Sequence, residues 1–155
     1  MNRVIACILI FLLLIAFLAG CGAEIECYAI CNPESHIWIR RSPKKGSDEI
    51  GYLDCGDNFK TDGKTKNGFI HVIGMTEYGE GWVHKGYVVY DKPEIVNCRG
   101  TVAATGRVKL QRYVGGKRIG YIKVCEDVKV FAISEDWAVT NRGFIKLKYL
   151  ELWDE

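Results

Sequence analysis

Seven cysteines and three histidines are the side chains in this 155-residue sequence that could do covalent, redox or metal chemistry. Cys7 and Cys21 sit within and just after an apolar run at the start of the chain, which leaves Cys27, Cys31, Cys55, Cys98 and Cys125 for the folded part. In a chain bound for an oxidising compartment, the default chemistry of such cysteines is disulfide formation. The run Cys27-Tyr28-Ala29-Ile30-Cys31 can close a small loop, so Cys27 with Cys31 is the expected disulfide, although spacing does not fix connectivity and an odd count leaves one thiol over. Cys55 and Cys125 fall in near-equivalent turns of two related segments and have no evident partner.

A nucleophilic cysteine needs a base and a third group to orient it. His36, His71 and His84 are not flanked by a nucleophile motif such as G-x-S-x-G, and the sequence holds no H-E-x-x-H and no paired C-x-x-C. A zinc site built from His71, His84 and a cysteine has no ligand spacing in its favour. The expectation is a protein without catalytic residues, metal or cofactor.

The elements that would position these groups begin after a leader. One cation, Arg3, precedes the apolar run from Val4 to Leu18, which has the length of a signal-peptide core and falls short of the ~20 residues that a membrane-spanning helix needs. The junction Leu18-Ala19-Gly20-Cys21 resembles the lipobox of bacterial lipoproteins, and that resemblance implies lipidation of the Cys21 thiol and cleavage just before it. Ordinary signal cleavage after Ala23 is the alternative, with Cys21 and Ala23 as the small residues of the site. Either route predicts an exported protein, membrane-anchored in the first case and secreted in the second.

Charged residues make up 26% of the chain and hydrophobic ones 48%, ordinary globular usage that excludes a disordered or fibrous chain. The net charge of +2 gives no nucleic-acid footprint. The halves differ: residues 24–94 hold nine basic and twelve acidic side chains, residues 95–155 eleven and seven. Seventeen glycines and eight tyrosines favour strands and tight turns. Turn signals recur every eight to twelve residues past the leader, and no stretch shows helical periodicity. The fold class is therefore all-β.

Internal similarity sets the architecture. Ile50-Gly51-Tyr52-Leu53 recurs as Ile119-Gly120-Tyr121-Ile122, and Gly81-Trp82-Val83-His84-Lys85-Gly86-Tyr87-Val88 recurs as Gly143-Phe144-Ile145-Lys146-Leu147-Lys148-Tyr149-Leu150. In the first copy, Ile37-Trp38-Ile39-Arg40-Arg41-Ser42-Pro43 opens the series. This copy resembles a bacterial SH3 (SH3b) domain, with its patterns V-x-V-R-S-x-P, I-G-x-L-x-x-G and G-W-V-x-x-x-Y-L. The second departs more: Arg107 to Arg112 keeps only the alternation, and Cys125 or Glu126 stands where the turn glycine belongs. The resemblance implies two tandem small SH3-like barrels. Expected boundaries are a leader over 1–23 with the lipobox at 18–21, a cysteine-containing segment over 24–32, barrel one over 33–90, a linker over 91–99 and barrel two over 100–152. The expected cores are Trp82, Phe69, Phe59 and Ile50 in one copy and Phe144, Trp137, Val128 and Ile119 in the other. Glycines 81 and 143 should mark close backbone approach, and the short polar bridge Asp91-Lys92-Pro93-Glu94 should keep the barrels in contact.

Trp38 alternates with Ile37 and Ile39 and so should face solvent beside Arg40 and Arg41, a plausible contact platform. Tyr52, Tyr87, Tyr113 and Tyr121 could join it or instead cover the interface between barrels. The expected ligand-binding set is Trp38, Arg40, Arg41, Tyr52 and Tyr87. Domains that the barrels resemble often bind peptidoglycan or other wall components, which implies a non-catalytic wall-binding module as the first expectation. An adaptor that binds another envelope protein is the second. No nucleic-acid partner is expected.

Overall fold

Apolar residues alternate with polar ones over short runs, and each run forms a strand. The computed structural model describes residues 23–75 and 77–154; the leader, the lipobox and Cys21 lie outside the described residues. The first group of strands is β1 (Ile25–Ala29), β2 (Ile37–Arg40), β3 (Glu49–Leu53), β4 (Asn58–Thr61), β5 (Thr65–Lys66), β6 (Phe69–Met75), β7 (Gly79–His84) and β8 (Val88–Val89). The second is β9 (Glu94–Val102), β10 (Val108–Gln111), β11 (Arg118–Ile122), β12 (Asp127–Ser134), β13 (Trp137–Thr140), β14 (Gly143–Lys146) and β15 (Leu150–Trp153). Helix among the described residues is confined to two single 3-10 turns, Lys85–Tyr87 and Leu147–Tyr149.

One antiparallel sheet runs β3-β2-β7-β6-β4-β1-β8, with β5 paired on β6, and the other runs β11-β10-β14-β13-β12-β9-β15. Exchanging each strand for its counterpart converts one order into the other. Registers agree as well: Ile37 faces Leu53 and Trp38 faces Tyr52 in the first copy, while Val108 faces Ile122 and Lys109 faces Tyr121 in the second. Both hairpins shift register at the same point, after Ile39 and after Leu110. Two barrel-like domains of one topology are therefore present.

Their boundaries lie earlier than the sequence suggests. Residues 24–32 are not a separate segment, because β1 pairs with β4 and β8 and turns Cys27 and Ala29 into the first core. The linker over 91–99 likewise shrinks to its first few residues, since β9 begins at Glu94 and pairs with β12 and β15. The correspondence of Cys27 with Gly100, each opposite an inward aromatic or valine of the next strand, is too faint in sequence to place β1.

The cores are mainly aliphatic. Ile37, Ile39, Leu53, Val72 and Val83 pack with Phe59 in the first barrel, and Val102, Val108, Leu110, Ile122 and Val130 with Ile145 in the second. Phe69, Phe59, Phe144, Trp137 and Val128 are buried as expected, but Trp82 and Ile50 are only half-buried and Ile119 is 45% exposed. Strand alternation explains Trp82: Gly81 and Val83 point inward on β7, so the tryptophan between them faces out and lies against His71. Gly81 faces in because Ile39 leaves no room, a Cβ there standing 2.4 Å from its Cγ2. Gly143, its counterpart, has φ +135°, and a Cβ would meet the Gln111 carbonyl oxygen at 2.7 Å.

The barrels share a third apolar cluster at their junction. Ile30 and Val89 from the first meet Ala132, Trp137, Val139 and Phe144 from the second. Phe144 occupies the position of Trp82, facing out of its own barrel, and is buried because Tyr87 covers it, ring centroids 6.2 Å apart. Part of the expected second core is thus the seam between barrels.

Cys27 and Cys31 do not form the expected disulfide. Both are free thiols; Cys27 stands opposite Phe59 within β1, whereas Cys31 lies past the strand end beside Cys55. Four steps of largely extended chain separate their Cα atoms by roughly 10 Å or more, outside the ~7 Å that a disulfide spans.

Candidate functional site

A groove of about 870 Å³ opens where the two barrels meet. Barrel one contributes His36 from just before β2, Trp38 and Arg40 from β2 itself, Lys44 and Lys45 from the β2–β3 turn, and His84 and Tyr87 from the closing motif. Barrel two contributes Arg112, Tyr113 and Lys117 from the β10–β11 hairpin. Five of the lining residues carry fixed positive charge and none is a carboxylate. A second, smaller cavity of about 450 Å³ between β9 and β15 includes Glu94 and Asp154 in its lining and lacks this cationic character.

Tyr113 fixes the groove floor. Its ring lies against both Gly86 and Gly116, where an added Cβ would come within 2.2 Å and 2.3 Å of ring carbons. It also packs 4.6 Å from the His84 ring and 5.5 Å from Tyr87. Tilted aromatic pairs of this kind contribute about 0.5–1.5 kcal/mol beyond their buried area. The backbone reinforces the contact, Val114 N–H donating to the Gly86 carbonyl at 3.1 Å. His84 is held neutral: Gly86 N–H donates to its Nδ1 at 3.2 Å, and burial, with Lys85 adjacent, pushes its pKa below the ordinary value.

The expected site residues separate into three groups. Trp38, Arg40 and Tyr87 line the groove. Tyr52 is 42% exposed next to Trp38, ring centroids 6.2 Å apart, and extends the apolar lip away from the opening. His36 completes this lip, 4.6 Å from Tyr52, with its Nδ1 2.5 Å from an Asp54 carboxylate oxygen. Arg41 leaves the set: its guanidinium pairs with Asp48 at 3.5 Å, in the β2–β3 turn, and it does not line the groove. Arg40 is partly neutralised, bonding Glu49 and the Ser47 carbonyl at 2.8 Å each. Trp38 is 43% exposed and takes no part in the seam cluster, so it is a surface residue, whereas Tyr87 is an interface residue that shows one edge to the groove.

Lys44, Lys45, Arg112 and Lys117 escape a motif-based reading because no pattern marks them. The signal was present in the charge distribution: residues 103–125 hold six cations and no Asp or Glu. The two barrels have diverged at corresponding positions, Trp38–Tyr52 on one and Lys109–Tyr121 on the other. Arg107 and Arg118 stand 5.8 Å and 4.8 Å from the Tyr121 ring centre, so this hairpin presents guanidinium groups where its counterpart presents indole. His71 and His84 do not converge; the first meets Asp62 and Glu80, the second Phe69, Tyr87 and Tyr113.

No protein-family model matches the chain, and no curated protein matches it. Among solved structures it aligns with NlpC1 and NlpC2 from Trichomonas vaginalis, in each case at 14% sequence identity and a TM-score of 0.37, over 85% of this chain. The alignments cover 47% and 49% of those two proteins, so the chain spans about half of their length.

Proposed function

We propose that this chain is an exported, non-catalytic binding module whose inter-barrel groove takes an anionic component of the cell envelope, peptidoglycan being the first candidate. The observation that carries the reading is the groove's composition: a tryptophan lip beside cations from both barrels, with no carboxylate in the lining. Peptidoglycan offers sugar rings that can lie on an indole and peptide carboxylates that can meet lysine and arginine. Lys44, Lys45, Arg112 and Lys117 make no ion pair with any of the described residues, which leaves their charge available. Binding is favoured over catalysis by the state of the groove's cysteine. Cys31 donates its thiol to the Ser35 carbonyl at 3.3 Å and is only 2% exposed, so it is not presented to the groove as a nucleophile. The leader and Cys21 add the second half of the proposal, attachment to a membrane through lipid.

Co-sedimentation with purified peptidoglycan tests the reading. The wild-type protein should pellet with the wall fraction at low salt and less at high salt, since exposed charges are screened within a Debye length of ~10 Å at 0.1 M. Trp38→Ala should weaken binding at least about tenfold, the loss expected of one contact aromatic, with an unchanged Tm. Binding that ignores both salt and Trp38 would refute the groove as the wall site; capture of an acidic envelope protein without sedimentation would favour the adaptor reading.

A further inference from the structure

The segment after β1 and the β3–β4 turn each bring a cysteine to the place where barrel one borders the seam. Two backbone bonds clamp these pieces together, Ala29 N–H to the Asp57 carbonyl at 2.8 Å and Gly56 N–H to the Ala29 carbonyl at 2.9 Å. Inside the clamp the Cys31 N–H donates to Cys55 Sγ at 3.4 Å. A sulfur this close to its partner's own amide nitrogen is about one side-chain rotation from the partner thiol, and the residues that carry the pair are held by strand pairing on both sides. The remaining described cysteines stand elsewhere: Cys27 within β1 opposite Phe59, Cys98 on β9 opposite Val130, and Cys125 in the exposed turn of the second barrel.

We propose that Cys31 and Cys55 form a disulfide, a cross-link between the β1–β2 connection and the β3–β4 turn, when the folded protein meets a disulfide oxidant. The inference rests on barrel geometry and not on the ligand assigned to the groove. The reaction with oxidised glutathione balances in two exchanges. Cys55 thiolate attacks one glutathione sulfur, forms a mixed disulfide and expels one glutathione thiolate. Cys31 then attacks the Cys55 sulfur, loses its proton, and expels the second glutathione thiolate. The protein gives up two electrons and two protons, and the oxidant leaves as two thiols.

The environment assigns the roles. Cys55 is the more exposed of the two and its sulfur accepts the Cys31 N–H, a bond that favours the thiolate, so Cys55 supplies the attacking thiolate. Cys31 is 2% exposed, so it resolves the mixed disulfide instead of starting one. Cys31 lines the groove and Cys55 packs against the seam cluster, which makes the cross-link a brace for one wall of the site.

The purified protein, incubated folded with oxidised glutathione, alkylated and digested without reduction, should yield a peptide pair joined through Cys31 and Cys55. Oxidation should also raise Tm by about 10 °C, the scale expected for closing a loop of this length in a chain of this size. Cys31→Ser should trap one glutathione on Cys55, and Cys55→Ser should leave Cys31 unmodified. Recovery of both cysteines in separately alkylated peptides from the oxidised wild-type protein, or of Cys55 joined to Cys27, Cys98 or Cys125, would overturn the assignment.

Discussion

His84 is the side chain whose protonation matters most to the groove. Its Nδ1 must accept the Gly86 N–H, so only the neutral ring fits, and burial lowers its pKa in the folded state. As pH falls below the ordinary histidine value of 6.5, the unfolded chain takes up a proton at this position before the folded protein does. Stability is therefore lost between that pH and the lower folded pKa, and it is fully present above 6.5. His84→Asn keeps an acceptor for Gly86 and cannot titrate. Its Tm should fall less than that of the wild type between about pH 7.5 and pH 5.5, and parallel falls would show that His84 does not carry the dependence. Trp38 works differently. As an exposed indole outside the seam it should matter for binding and not for folding.

At the level of elements, the 3-10 turn Lys85–Tyr87 and the β10–β11 hairpin hold each other in place. The turn offers Gly86 as a flat surface for Tyr113 and its carbonyl to Val114 N–H. Gly86→Ala puts a methyl group into the Tyr113 ring and should cost about 1–3 kcal/mol, read as a lower midpoint in denaturant unfolding; an unchanged midpoint would mean that the ring moves aside freely. The strands themselves were legible because their alternation survives in sequence: Ile37 and Ile39 inward with Trp38 outward, Val128 and Val130 inward with Lys129 outward. The repeat was legible because Gly81 and Gly143 are demanded by the same close backbone approach. What misled was side-chain size. Trp82 and Phe144 read as core because they are large, yet their parity on the strand places them outside, one against His71 and the other under the neighbouring barrel. β1 was missed because two cysteines four positions apart read as a loop, when Cys27 serves there as a small apolar core residue.

The whole molecule is two copies of one barrel joined by an apolar seam, and its charge is asymmetric in a way neither copy shows alone. Cations collect on the β10–β11 hairpin and on the β2–β3 turn that faces it across the groove. No motif encodes that juxtaposition; it follows from how the barrels dock, which short sequence patterns do not record. Placement of the molecule at a membrane is a separate expectation, carried by Cys21. Intact-mass spectrometry of the membrane fraction should find a chain that starts at Cys21 with added acyl mass, and a chain that starts at Glu24 without it would remove the anchor from the account. The central claim, that an anionic ligand lies between the barrels, is tested most directly by reversing charge on each side separately. Lys44 and Lys45 changed to Glu, and in a second protein Arg112 and Lys117 changed to Glu, should each lower the affinity for purified peptidoglycan by at least about tenfold at low salt while leaving Tm within a few degrees. Wild-type affinity in either variant would contradict a ligand held by both barrels.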